Sequence, residues 1–138
     1  LAVAEEGASF ATSGIHYGLF CATPSVPMVR NVPAKRAMEM LLTGDFIDAA
    51  TAKQEGLVNR VVSLQALDAE VEQLVQSILE KPRVAVAMGK ALVYRQRELG
   101  LEAAYQLAGQ TMAVNMMDAA AQEGARAFAE KRKPDWKC

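Results

Sequence analysis

Cysteine is scarce in this chain. Cys21 and Cys138 are its two thiols, far apart and outside any CxxC or Cys/His spacing. That scarcity excludes a disulfide framework and a zinc finger, and a reducing compartment is the expectation. An excess of one charge is lacking too. Fifteen basic residues face sixteen acidic ones, for a formal net charge of −1. The balance removes the whole-chain electrostatic case for nucleic acid or an anionic membrane as partner. No apolar run reaches the roughly 18 to 20 residues of a membrane span, and no charged leader precedes an apolar segment at the start. The expectation is a soluble chain, cytoplasmic or, in a eukaryote, in the mitochondrial matrix. Histidine occurs once, at His16, and no two glycines are adjacent. No metal site is expected from so few imidazoles and thiols.

Apolar residues make up 51% of the sequence, too many for a disordered chain. Its character changes most sharply over TGDFIDAATAKQEGLVNRVV, from Thr43 to Val62. An apolar helical run ends at Thr43-Gly44, where glycine supplies the positive φ that a helix terminus often needs. Asp48 stands as an N-cap ahead of AATAKQE, Gly56 closes that short helix, and Leu57 to Val62 reads as a strand.

Upstream, Leu1 to Glu5 reads as a strand, with a second short one at Ser9-Phe10-Ala11 after a turn at Gly7. Thr12 to Pro27 has two glycines, two prolines and no period, which predicts an irregular loop with an apolar lining. Val26 to Val32 reads as a short helix with Pro27 in its first turn. Pro33 then opens a helix with Ala37, Met38, Leu41 and Leu42 on one face. Downstream lie four helical segments: Leu67 to Leu79, Arg83 to Leu99, Leu101 to Met117, and Ala119 to Lys131 behind an Asp118 N-cap. Met112, Met116 and Met117 are expected to pack in the core. Strands are few and early, helices many and late. So few strands do not make a self-sufficient sheet, and upstream chain or a neighbouring subunit is expected to complete it.

Two pieces carry a family resemblance: MEMLLTGDFIDAATAKQEGLVNRVV and EGARAFAEKRKPDW. In that order and spacing they resemble the C-terminal half of the crotonase superfamily, the enoyl-CoA hydratases and isomerases. The implied fold is an α/β crotonase fold. Residues 1–63 would end its spiral core and carry an active-site loop, and residues 64–138 would form the helical C-terminal region of the same domain. The resemblance implies an acyl-CoA partner, assembly into trimers or hexamers, and no cofactor beyond the coenzyme A thioester itself. Chemistry of this kind needs a stabilised thioester oxyanion and a nearby proton donor. In the family the oxyanion donors come from a Gly-rich loop in the first half, and this chain contains no such loop. The hydratases also carry a Pro-Glu pair in the stretch resembling Ser9 to Gly18, where this sequence has Ser13 and Gly14. The resemblance thus implies that Gly14 stands in place of the acid/base glutamate, and in this the chain resembles the subgroup of enoyl-CoA hydratase domain-containing protein three.

A glycine hydrogen neither accepts nor delivers a proton, so two-carboxylate hydration does not run through position 14. His16 is the one imidazole nearby and a weak catalytic candidate, since imidazole titrates near neutrality. Nothing in the sequence orients it as a base, and an ordinary polar loop residue is the blander reading. Tyr17 and Cys21 are weaker still. Coenzyme A offers phosphates and a flat adenine, which suit cations and an aromatic surface. The family motif carries its CoA-binding Phe and Lys over to Phe128 and Lys131, often reaching into a neighbour's site. The residues alone read otherwise, with Phe128 in the core and Lys131, Arg132 and Lys133 as a solvated helix end. Two classes of function therefore stay open. One is an acyl-CoA-processing enzyme whose remaining polar groups lie outside these residues. The other is a non-catalytic acyl-CoA-binding or oligomerisation module.

Overall fold

A computed structural model describes residues 1–136, which divide into two compact units, 1–73 and 74–136. The first unit opens with β1 (Val3–Glu5), β2 (Ser9–Phe10) and a 3-10 turn (Ser13–Tyr17), followed by α1 (Ala22–Val29) and α2 (Ala34–Thr43). It continues with β3 (Ile47–Asp48), α3 (Ala49–Gln54), β4 (Arg60–Val62), a second 3-10 turn (Leu64–Ala66) and the start of α4 (Leu67–Leu79). β1 pairs in parallel with β4, Val3 opposite Arg60, and β2 pairs antiparallel with β3, Phe10 opposite Ile47. Each is a two-stranded ladder, so the outer edges carry no strand among the described residues.

The joint between α2 and β4 forms as its sequence dictates. Gly44 sits at φ 73° and its N–H returns to the Met40 carbonyl at 3.0 Å. The Asp48 carboxylate accepts the Thr51 N–H at 2.7 Å, so the first turn of α3 is capped. That bond to the charged form also holds the Asp48 carboxyl below its usual value. Gly56 ends the helix at φ 82°. β3 has no sequence signal: two residues are too few to show a period, and Phe10 opposite Ile47 creates the strand by pairing.

Two other expectations are corrected. The stretch from Thr12 to Pro27 is not irregular throughout, because it holds the 3-10 turn and most of α1. α1 begins at Ala22 rather than Val26, with Pro24 in its first turn and Pro27 inside. Pro24 lies among the terminal donors that have no intrahelical partner, so its missing N–H costs nothing. On α2 the buried stripe is Ala37, Met40 and Leu41, whereas Met38 and Leu42 are 46% and 58% exposed. That stripe has the i, i+3, i+4 spacing of a single helical face.

Two clusters make the core of this unit. Met28, Val32, Ala37, Met40 and Leu41 form one, and Ala4, Ala49, Ala52 and Val58 the other. Phe10, Ile47 and Leu57 pack against both, so the β2–β3 ladder fastens the two clusters together. Small alanines let α3 approach β1 and β4 closely.

The second unit contains the end of α4, then α5 (Arg83–Gln96), α6 (Leu101–Met116) and α7 (Ala119–Ala129). Pro82 and Gly100 stand at the N-caps of α5 and α6, and the Asp118 carboxylate accepts the Ala120 N–H at 2.9 Å to cap α7. α4, α5 and α6 contain no fully buried residue. Met112, Met116 and Met117 are exposed, contrary to the core assignment, and Leu101, Tyr105 and Val114 are exposed with them. Periodicity fixes which face is apolar but not whether anything covers it.

After α7 the chain turns back and is anchored by one carboxylate. Glu123 accepts two bonds from the Arg132 guanidinium, at 2.6 and 3.1 Å, and a third from the Asp135 N–H at 3.0 Å. Trp136 lies over Gly124, where a Cβ would stand 3.3 Å from the indole. The Arg132 bonds, then the Asp135 N–H, pull the Glu123 carboxyl down to about 2 from an ordinary 4.5.

Two outcomes follow from this packing. Leu41→Ala should cost roughly 2 to 5 kcal/mol in denaturant unfolding, while Leu42→Ala on the exposed face should stay within about 0.5 kcal/mol; equal losses would refute the assigned stripe. A depressed carboxyl stabilises the fold fully above its unfolded pKa and ceases to as pH falls through its folded one. Fluorescence of Trp136, the sole tryptophan, should therefore hold steady from neutrality to pH 4.5 and change with a midpoint of about 2. In Glu123→Gln it should already be altered at neutral pH.

Candidate functional site

The 3-10 turn of Ser13–Tyr17 carries Gly14 and His16, and its conformation leaves no space for a side chain at residue 14. A Cβ on Gly14 would stand 2.8 Å from the Cys21 Sγ and 2.8 Å from the Leu19 carbonyl oxygen. The second contact is with backbone, which cannot swing aside. The turn is closed by the Leu19 N–H donating to the Gly14 carbonyl at 3.0 Å. Cys21 is a half-buried free thiol packed against the core cluster of α1 and α2.

His16 is tied rather than poised. Its Nε2 lies 3.2 Å from the Gly44 carbonyl oxygen, and a carbonyl only accepts, so in this contact that nitrogen carries the proton. Two residues before Gly14, the buried Thr12 donates its hydroxyl to the Met40 carbonyl at 2.8 Å. Thr12 and His16 thus fasten both sides of the turn to the C-terminal end of α2. Gly44 makes this possible, since a Cβ there would stand 2.7 Å from the His16 Nε2 and 2.8 Å from the Ile15 Cγ2. Tyr17 and Leu19 point into solvent.

Beside the turn, a cleft of about 560 Å³ opens in the same unit, lined by Phe10, Thr12, Pro27, Met28, Met40 and Leu57 among others. The lining is mostly apolar and holds no carboxylate and no imidazole. Among the described residues no group of three or more His, Cys, Asp or Glu gathers as a metal site would require.

The other candidate pair lies at the end of α7. Phe128 is 87% exposed, so it is not the core residue that its chemistry alone suggests. Lys131 adopts φ 54°, the one non-glycine residue with positive φ among those described. The Lys131 N–H donates to the Phe128 carbonyl at 3.2 Å and the Arg132 N–H to the Ala127 carbonyl at 3.0 Å. This crossed pair is a Schellman closure in which lysine stands where glycine is usual. It ties the Lys131 backbone to that of Phe128 and occupies carbonyls that would otherwise repel an anion. Arg132 is not a free cation, because Glu123 and Glu130 hold its guanidinium.

Sequence reasoning singled out Gly14, His16, Phe128 and Lys131 as candidates and passed over Thr12, Glu123 and the second role of Gly44. Glu123 stands nine residues before Arg132, a separation with no meaning in one helix; only the reversal after α7 makes them neighbours. Gly44 is legible as a helix terminus, but the imidazole it accommodates comes from another element.

The enoyl-CoA hydratase/isomerase family model matches residues 1–138. Mouse enoyl-CoA hydratase domain-containing protein 3, mitochondrial, is 46% identical over 136 residues, 99% of this chain and 45% of the mouse protein. An enoyl-CoA hydratase from Mycobacterium smegmatis superposes with a TM-score of 0.95 at 59% identity, over all of this chain and 54% of that one. Human enoyl-CoA hydratase domain-containing protein 3 superposes with a TM-score of 0.90 at 43% identity, over 99% of this chain and 54% of that one. The chain thus spans about half the length of the relatives it matches. With a family match from end to end and this agreement in fold, the chain has the crotonase fold and belongs to the enoyl-CoA hydratase/isomerase family.

Proposed function

We propose that this chain forms part of an acyl-CoA-binding protein in which residue 14 takes no part in proton transfer. The observation that carries the binding is the exposed Phe128 beside the left-handed Lys131 at the closed end of α7. An exposed aromatic face and a lysine three residues on suit an adenine and a phosphate of coenzyme A. The names of the relatives support an acyl-CoA ligand, and the mouse relative's name supports a mitochondrial place. No helix among the described residues is long and apolar enough to cross a membrane.

The chemistry is constrained by the turn. The resemblance puts the hydratase glutamate at residue 14, where the Leu19 carbonyl and the Cys21 thiol leave no room for a Cβ. His16 has one ring nitrogen engaged by Gly44, so only Nδ1 remains to accept a proton. If the protein turns over a thioester, its proton-transfer group and oxyanion donors come from elsewhere in the assembly.

An assembly role is the second reading, favoured by the exposed apolar residues of α5 and α6, among them Val93, Tyr94, Tyr105 and Met112. A homo-oligomer, trimer or hexamer, would cover them. Sedimentation equilibrium tests this: Met112→Lys should shift the protein toward monomer, and an unchanged mass would remove that face from the interface.

For the leading reading, Lys131→Ala should weaken binding of coenzyme A roughly tenfold or more in titration calorimetry, the usual scale of a hydrogen bond to a charged group. Unchanged affinity would reject the site. Hydration of a short 2-enoyl-CoA should run about 10² to 10⁴-fold below that of a hydratase with both carboxylates, the span that acid–base catalysis supplies. Turnover within about tenfold of such a hydratase would reject the reading of residue 14. Gly14→Glu should restore nothing and should cost about 1 to 3 kcal/mol through overpacking.

A further inference from the structure

We infer that Glu123 and Arg132 are positioning residues for Lys131: their bidentate pairing across the reversal after α7 holds Lys131 left-handed at the end of the helix that carries the exposed Phe128. The inference rests on the coenzyme A reading of Phe128 and Lys131 and names the groups that set the affinity of that site. Neither Glu123 nor Arg132 contacts the ligand in this scheme.

Lys131 lies between two fastened neighbours. Glu130 gives its carboxylate to the Arg132 Nε at 2.6 Å. The two terminal guanidinium nitrogens of Arg132 reach Glu123 at 2.6 and 3.1 Å. Glu123 then takes the Asp135 N–H at 3.0 Å, which fixes the chain on the far side of Lys133. A side-chain-bearing residue at φ 54° is disfavoured, and it persists when its surroundings over-determine it. Here the surroundings are one carboxylate and one guanidinium that together tie residues 123, 130, 132 and 135. Glycine would relieve the strain at the same backbone geometry but carries no ammonium.

Charge and positioning make opposite predictions. Glu123 is an anion near a site for an anionic ligand, so as a mere charge its removal should tighten binding. Arg132→Lys keeps the charge and should then change nothing. If instead the pair holds Lys131 in place, both variants should weaken binding, because only the fraction of molecules with Lys131 left-handed binds well. The expected loss is roughly 5 to 30-fold, the population penalty of the left-handed region for a residue with a Cβ.

The experiment is titration calorimetry of coenzyme A with the protein and with Glu123→Gln, Arg132→Lys and Lys131→Ala. Thermal melts establish that each variant is folded at the titration temperature, and amide hydrogen exchange at Lys131 and Arg132 is read in parallel. Weaker binding with faster exchange of those amides in both anchor variants, and Lys131→Ala also weak, supports the inference. Tighter or unchanged binding in Glu123→Gln or in Arg132→Lys, with Lys131→Ala still weak, overturns the inference and leaves the site standing. Unchanged binding in Lys131→Ala overturns both. Should an anchor variant fail to fold, Lys131→Gly decides: faster exchange of its Arg132 amide than in the native protein would overturn the inference, because an intact anchor should hold that turn.

Discussion

A buried hydroxyl at the end of a helix organises the first unit. Thr12 donates to the Met40 carbonyl, and Met40 is itself nearly inaccessible to solvent. The same carbonyl receives the Gly44 N–H, so both of its lone-pair directions are used at the point where α2 stops. Removing the hydroxyl would leave a buried polar vacancy and free one side of the turn that carries Gly14. The His16 contact with Gly44 fastens the other side. The short turn is therefore held by α2 at two points that lie 28 residues away in sequence.

That arrangement explains why Gly14 and Gly44 are both glycines, for different reasons. Gly44 needs its positive φ and must also admit the imidazole of His16 and the side chain of Ile15. Gly14 has no special φ; its constraint is space, taken by a thiol and a carbonyl. At residue 14 the local backbone has closed over the volume a side chain would fill. The consequence is chemical as well as steric, because residue 14 itself presents only backbone to whatever lies beside it.

The second unit solves a different problem. α4, α5 and α6 are amphipathic but bury little, while the segment after α7 is drawn tightly back by Glu123 and Arg132. The ion pairs and hydrogen bonds of this reversal thus gather just after Phe128 and Lys131. The depressed Glu123 carboxyl keeps its charge, and with it the anchor, throughout the range in which proteins function.

Local signals sufficed for the elements with chemical punctuation. Gly44, Gly56, Pro82, Gly100 and the caps Asp48 and Asp118 mark boundaries because φ preference and side-chain capping act within a few residues. Phe128, Lys131 and Gly14 were singled out on the same terms, through residue identity and a family resemblance. Three things were not. β3 exists only because Phe10 pairs with Ile47, the buried face of α2 was set by Met28 and Val32 rather than by its own spacing, and the methionines of α6 lie exposed where an apolar stripe suggested core. The sequence by itself determined the helices from α2 onward and the glycine, proline and aspartate signals that bound them, since those depend on short-range preferences. Only the tertiary structure decided that Gly14 has no room, that His16 and Thr12 are tethers, and that Lys131 is held left-handed. Each of those depends on atoms brought together from distant points of the chain.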